Sequence, residues 1–198
     1  MGLDLRVGRH FPLDQAVRCF LTHHACPGTL AHCAAVAIEA RRLAGCYSVD
    51  GEQAEQAGWL HDVSAVVPGS ERLALARALQ LEVLPEEVTL PMLLHQKLSG
   101  VFAQEFFGIQ DLEILSAIAC HTTLRPDASS LDKVVFLADK IAWDGQGRPS
   151  YRNAVLSGLE ISLDAGVCGY LDYLWQKRGI VPHPWFVAAY RQLCDTSV

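Results

Sequence analysis

Residues 57–67 read AGWLHDVSAVV, and they place a histidine and an aspartate, His61 and Asp62, where a run of small and apolar residues predicts a buried helix. His61 shares its helical face with the small residues Ala54, Ala57 and Gly58, which lie seven, four and three positions before it. Small side chains let a second helix approach closely. Two ionisable groups beside such a contact need a partner, because burying an isolated charge is costly.

Length and composition predict one folded unit. A chain of 198 residues with 51% hydrophobic and 19% charged residues can bury a substantial core and is not disordered. We therefore predict a single domain over 1–198, with a motif-bearing core at about 29–142 and C-terminal helices at about 151–195 packing on it. No apolar run approaches the roughly 20 residues of a membrane span, and the N-terminus does not read as a signal peptide. We expect a soluble, cytoplasmic protein.

Charge and cysteine usage narrow the partners. The net charge of −6, with dispersed Lys and Arg, gives no basic surface for nucleic acid. Seven scattered cysteines without a C-x-x-C pair suit neither a disulfide framework nor a zinc ribbon, so we expect them to be reduced and mostly buried. A small anionic ligand fits an acidic chain if a metal ion supplies local positive charge. The sequence does not determine the oligomeric state, and a homodimer is one of the candidates.

Apolar residues recur every three or four positions, which predicts an all-α fold, a compact helical bundle. The expected helices span about 13–24, 30–45, 50–62, 70–79, 91–107, 111–122, 130–143, 151–177 and 184–195.

Several polar residues fall on the apolar faces of these helices. His32, His95 and His121 each align with apolar neighbours, and Asp139 lies at the edge of a buried stripe. Each histidine alone is more often a hydrogen-bonded core residue than a ligand. Together with His61 and Asp62, however, they would require many independently satisfied buried groups. One metal site explains all six. Surface or capping roles are expected for the other four histidines, His10, His23, His24 and His183. Asp132 is expected to interact with its helix N-terminus.

The order of these residues resembles the HD-domain superfamily of metal-dependent phosphohydrolases. Three stretches are similar to successive signatures of the bacterial symmetrical bis(5'-nucleosyl)-tetraphosphatases: HCAAVAIEARRLAGCYSVDGEQAEQAGWLHD at 32–62, PMLLHQKLSGVFAQEFFGIQDLEILSAIACHTT at 91–123, and LDKVVFLADKI at 131–141. The resemblance implies an α-helical domain that holds two metal ions, often iron. It also implies hydrolysis of diadenosine tetraphosphate to two molecules of ADP.

Position by position, the resemblance assigns one metal ion to His32, His61, Asp62 and Asp139. Asp62 would bridge to a second ion held by His95 and His121, and His61 and Asp62 would be catalytic. These ligand types suit iron, manganese or zinc rather than magnesium. Two ions about 3.5–4 Å apart can share a water, lower its pKa and present it as a hydroxide to phosphorus.

A polyphosphate substrate needs donors around the metals. Proximity in sequence to the predicted ligands nominates Lys97, Thr122, Thr123, Arg125 and Lys140. The chain also departs from the family pattern at three positions. Ala65 stands where a lysine often follows the HD pair, Leu124 replaces a glycine, and Ala142 replaces an acidic residue. These departures concern substrate recognition rather than metal binding.

Three functions follow as hypotheses. The first is hydrolysis of symmetrical dinucleoside polyphosphates. The second keeps the site but acts on another nucleotide or a small phosphomonoester. The third is a non-catalytic HD module that binds a nucleotide or a protein partner and uses the metal structurally.

Overall fold

The computed structural model describes residues 11–143, 145, 147–177 and 181–194, and His10 lies outside them. Within these ranges the chain is helical and has no strand, which confirms the predicted all-α fold. The helices are α1 Leu13–His23, α2 Pro27–Cys46, α3 Gly51–Leu60, α4 Arg72–Ala78, α5 Pro85–Thr89, α6 Leu94–Glu105, α7 Leu112–Cys120, α8 Ser130–Ile141, α9 Arg152–Leu159, α10 Leu163–Gln176 and α11 Pro184–Leu193. Short 3-10 turns occupy Val63–Val66 and Pro91–Leu93.

Helix α2 is the centre of the fold. It packs against α1, α3 and α8, and its inner face is a continuous row of buried residues: His32, Cys33, Val36, Ala37, Ala40, Leu43 and Ala44. The predicted close approach of α3 is present, because a Cβ added to Gly58 would lie 2.6 Å from the Cα of Ala37. This contact brings the end of α3, where the HD pair lies, onto the face of α2 that carries His32.

The predicted helix over 151–177 is two helices instead of one. The first ends at Leu159, and Ser162 caps the start of the second, because its hydroxyl accepts a hydrogen bond from the backbone N–H of Ala165 (3.0 Å). A Cβ at Gly158 would lie 2.3 Å from the carbonyl oxygen of Ala165, so α9 and α10 pack backbone to backbone as a hairpin. Helix α10 then packs on α8. The short helix α5 was also not predicted.

The cysteines differ from expectation in two respects. Cys168 of α10 and Cys194 after α11 form a disulfide, with their Cα atoms 5.4 Å apart, so the expectation of reduced cysteines is wrong for this pair. Helix packing brings these residues together across 26 positions of sequence, which their spacing alone does not reveal. Among the free thiols, Cys33 and Cys120 are buried but Cys19 and Cys46 are exposed.

Two expectations about polar residues can be compared directly with the structure. Asp132 lies at the start of α8, where it forms a capping box with Ser129, as predicted. His183 caps α11, since its Nδ1 accepts the backbone N–H of Trp185 (3.2 Å), but it is buried rather than at the surface. None of the helices among the described residues has the length and hydropathy needed to cross a bilayer.

Candidate metal centre

Five helices bring the six predicted ligands together. His32 comes from α2, Asp139 from α8 and His95 from α6. His61 and Asp62 follow the last residue of α3, and His121 follows the last residue of α7. The side chains of His61 and His121 are almost completely buried, whereas Asp62 is 26% exposed and Asp139 is 17% exposed. The cluster therefore opens to solvent on its carboxylate side.

The atoms form two groups that meet at Asp62. One consists of His32, His61 and Asp62, and the other of Asp62, His95 and His121, with the candidate ligand atoms of each within 4.8 Å of one another. Asp62 Oδ2 lies 3.8 Å from Nε2 of His61. Asp62 Oδ1 lies 3.4 Å from Nε2 of His95 and 3.7 Å from Nε2 of His121. Each carboxylate oxygen thus faces a different group.

Asp139 joins the first group from the opposite side. Its Oδ1 lies 3.0 Å from Nε2 of His32 and 3.8 Å from Nε2 of His61. Burial alone would raise the pKa of Asp139, but the ammonium of Lys140 and the neighbouring imidazoles hold it well below the ordinary range. Asp139 is therefore a carboxylate at neutral pH, a form that can bind a cation.

Three imidazoles are oriented in the same way. Nδ1 of His61 lies 2.8 Å from the carbonyl oxygen of Gly58, and Nδ1 of His121 lies 2.8 Å from that of Ile118. Nδ1 of His95 likewise lies 2.5 Å from the carbonyl oxygen of Met92. A carbonyl oxygen only accepts, so in each ring Nδ1 carries the proton and Nε2 presents its lone pair to the cluster.

This orientation fits a cation. Nε2 of His61 is buried and has no hydrogen-bond partner among the described residues. Nε2 of His95 lies 3.0 Å from Nε2 of His121, although two unprotonated nitrogens cannot bond each other. Burial lowers the pKa of both His95 and His121, so a proton is disfavoured there. A metal ion satisfies lone pairs and carboxylates together.

The predicted phosphate-binding residues divide into two sets. Lys140 and Thr122 lie at the cluster: Lys140 forms an ion pair with Asp139, and Oγ1 of Thr122 lies 3.0 Å from Nε2 of His95. Thr123 is buried and bonds Gln96, whose side-chain oxygen also accepts the backbone N–H groups of Thr122 and Thr123. Gln96, which sequence reasoning missed, thereby fixes the loop after His121.

Lys97 and Arg125 form ion pairs with carboxylates outside the cluster. Lys97 Nζ is buried and lies 2.8 Å from Glu87, above the ring of Trp185. Arg125 donates to Asp132 from Nε and Nη2, at 2.9 and 2.8 Å. Both cations therefore have protein partners, and their nomination as phosphate ligands has no support in the structure.

The charge of another cation acts on the cluster. The positive charge of Arg72 adds to burial in lowering the pKa of His95. Arg72 begins α4, and its Nε donates to the carbonyl oxygen of Val67 (3.3 Å). No carboxylate pairs with it in the part of the chain that the structure describes. In the sequence, the signal that could have identified Arg72 was its position, ten residues after Asp62.

Leu124 occupies a backbone conformation that favours glycine. Its φ is +55°, in the left-handed region, although its side chain is fully buried. A glycine would adopt this conformation without strain, which explains the glycine of the family pattern. Leu124 adopts the same turn after Thr123, and its side chain is buried in the core.

The buried histidines make the stability of the metal-free protein depend on pH. The pKa values of His95 and His121 lie below the ordinary 6.5, so the unfolded chain binds more protons below that pH. The neutral forms of these two histidines make their full contribution to the free energy of unfolding above pH 6.5. This contribution is lost as the pH falls towards their lowered pKa values. Denaturant titrations at about pH 7.5, 6.5 and 5.5 check this. The variant His121→Gln should show a weaker dependence, and an unchanged dependence would contradict the assignment.

Comparison with known proteins decides the family. The HD-domain family profile matches residues 29–144. This chain belongs to the HD-domain family. The resemblance read from the sequence motifs is thereby confirmed, and the match contains all six residues of the cluster.

Individual relatives align with most of the chain. A symmetrical bis(5'-nucleosyl)-tetraphosphatase of Halalkalibacterium halodurans is 31% identical over 184 residues, covering 90% of this chain and 94% of that protein. An uncharacterized protein in the pepC 5' region of Lactococcus lactis subsp. cremoris is 40% identical over 145 residues, 73% of this chain and 74% of that protein.

The fold extends beyond the HD match. A crystal structure from Clostridium acetobutylicum, described as a predicted HD superfamily hydrolase involved in NAD metabolism, superposes with a TM-score of 0.83 at 26% identity. The superposition covers 92% of this chain and 97% of that one. The C-terminal helices therefore also have counterparts in another HD protein.

Proposed function

We propose that this HD-domain protein is a metal-dependent phosphohydrolase that cleaves symmetrical dinucleoside polyphosphates, converting diadenosine tetraphosphate to two molecules of ADP. The observation that carries the proposal is the position of Asp62, whose two oxygens face separate groups of imidazoles. A carboxylate placed in this way can bridge two ions, which is the arrangement that phosphoester and anhydride hydrolysis uses. The tetraphosphatase relative supplies the substrate class.

We propose two ions: His32, His61, Asp62 and Asp139 would hold one, and Asp62, His95 and His121 would hold the other. We propose iron, with manganese and zinc as ions that the same donors accept. Bound ions would supply Lewis-acid polarisation of a phosphate and an activated water nucleophile.

The chain's own residues perform the remaining tasks. Nδ1–H donation to backbone carbonyls fixes the imidazoles and keeps Nε2 available. The ammonium of Lys140 offsets the charge of Asp139, so that an anionic substrate meets less repulsion. The exposed edges of Asp62 and Asp139 mark the side from which the substrate enters, and the hydroxyl of Thr122 can donate to a phosphate oxygen there.

We assign phosphate binding outside the metals to Arg72, in place of the lysine that is absent at Ala65. Charge-assisted hydrogen bonds contribute about 1.5–3 kcal/mol, so Arg72→Ala should lower kcat/KM by roughly tenfold to a hundredfold. Steady-state kinetics with diadenosine tetraphosphate measures this. Arg77→Ala, in the same helix but exposed, is the control and should be neutral. Equal effects of the two substitutions would exclude the assignment.

The direct test of the substrate is chromatography of the products. Protein loaded with iron or manganese should convert diadenosine tetraphosphate to ADP alone. Release of AMP and ATP, or no product, would contradict the proposal.

A second candidate is hydrolysis of another nucleotide. The departures at Ala65 and Ala142 concern recognition, and the Clostridium protein is linked to NAD metabolism. A panel of nucleotides and phosphomonoesters, assayed by phosphate release, separates the two. A non-catalytic module would release nothing from any of them, and retention of all six cluster residues argues against it.

A further inference from the structure

A cavity of about 350 Å³ lies beside the candidate metal centre. Its walls are mainly apolar and come from the segment before α6 and from the two C-terminal helices: Leu90, Met92, Leu93, Tyr170, Leu174 and Phe186. Leu90, Met92 and Val181 are 38%, 46% and 36% exposed at its rim. Ligand pockets in proteins span roughly 300–1,000 Å³, so the cavity has the size of a small-molecule site.

Two residues connect this cavity to the metal centre. Thr122 lines it, and the Thr122 hydroxyl is also 3.0 Å from Nε2 of His95. Tyr170 forms part of another wall, and Nζ of Lys140 lies 5.5 Å from its ring centroid while pairing with Asp139. A ligand in the cavity would therefore extend towards the carboxylates without crossing the core.

Helix α11, which forms the outer wall of the cavity, is fixed both at its start and after its end. At the start of α11, His183 Nε2 lies 3.4 Å from Oε1 of Glu87, which also binds Lys97. All three side chains are buried. After the end of α11, the disulfide between Cys168 and Cys194 joins this segment to α10. Lys97 and His183, which the metal centre does not use, thus fix the start of α11. The part of the wall that α10 and α11 form lies outside the HD match at 29–144.

We propose that this cavity binds one adenine base, with its ribose, of the dinucleoside polyphosphate. The inference rests on the proposed function. The base is the flat, weakly polar part of such a substrate, and the apolar walls with the ring of Tyr170 suit it. The polyphosphate then runs past Thr122 to the metals. The C-terminal helices α10 and α11, together with the segment before α6, accordingly determine the choice of nucleoside, while the metal centre carries the chemistry.

The test narrows the mouth of the cavity. Val181→Trp and Leu90→Trp enlarge side chains that are partly exposed at the rim, so the core is not disturbed. Ile161→Trp, which is 82% exposed and does not line the cavity, is the matched control. Thermal denaturation confirms that each variant is folded.

Adenosine is the first probe, because it has no phosphate and does not need the metals. Calorimetry on the metal-loaded protein should detect adenosine binding that each rim variant weakens by about tenfold or more and that the control retains. KM for diadenosine tetraphosphate should rise similarly in both rim variants and stay unchanged in the control.

The outcomes separate this inference from the proposed function. Adenosine binding that is lost in the rim variants supports the cavity even if diadenosine tetraphosphate is not hydrolysed. Hydrolysis to ADP with adenosine affinity and KM unchanged by both rim substitutions would overturn the cavity assignment while the proposed function stands. Equal weakening by Ile161→Trp would overturn it as well.

Discussion

Asp62→Asn should abolish hydrolysis and reduce the metal content of the protein. The substitution keeps the size of the side chain but removes the charge that faces both groups of imidazoles. Burial raises the pKa of Asp62, yet His61, His95 and His121 together hold it below the ordinary value, so this group is a carboxylate in the wild type. Loss of several kcal/mol of charge stabilisation corresponds to at least about a thousandfold lower kcat.

Metal analysis and steady-state kinetics on the same preparations check this expectation. The control is Asp14→Asn, which changes a partly exposed aspartate on α1 and should retain metal and turnover. Turnover that persists in Asp62→Asn within about tenfold of the wild type would contradict a role for Asp62 at the reacting phosphate.

Gly58→Ala should destabilise the fold, although alanine is the better helix former by about 1 kcal/mol. An added Cβ would lie 2.6 Å from Cα and 2.8 Å from N of Ala37, so α2 and α3 must move apart. Overpacking of this kind costs about 1–3 kcal/mol, and denaturant titration should show a net decrease in the free energy of unfolding. Because Nδ1 of His61 donates to the carbonyl of Gly58, metal affinity should fall as well.

Gly100→Ala is the matched control for this prediction. Gly100 is also buried inside a helix, but an added Cβ would lie 3.5 Å from the Cβ of Ala119 and 3.7 Å from the carbonyl oxygen of Leu115, which are ordinary contacts. The gain in helix propensity should therefore leave the protein unchanged or stabilise it by up to about 1 kcal/mol. Equal destabilisation by the two substitutions would show that Gly58 has no special packing role.

The sequence predicted the helical fold and the convergence of the cluster for one physical reason. Polar residues at the inner edge of an amphipathic helix must meet other polar groups, and His32, His95 and Asp139 each occupy such an edge. The spacing of Gly58 and His61 likewise predicted a close helix contact. Both signals are local, and a short window of sequence contains them.

The features that sequence reasoning missed depend on distant contacts. Lys97 lies two residues after His95, but its partner Glu87 and the cap at His183 become visible only when α5, α6 and α11 are packed. Arg72 was missed because the effect of its charge on His95 depends on the turn after Val67. Helix packing likewise determines the disulfide between α10 and the end of α11.

The most direct test of this account is an anomalous difference map from crystals of the iron-loaded protein. We expect two peaks about 3.5–4 Å apart on either side of the Asp62 carboxylate, one near His32 and His61 and the other near His95 and His121. A single peak, or peaks away from these six side chains, would contradict the dinuclear centre on which the proposed chemistry depends.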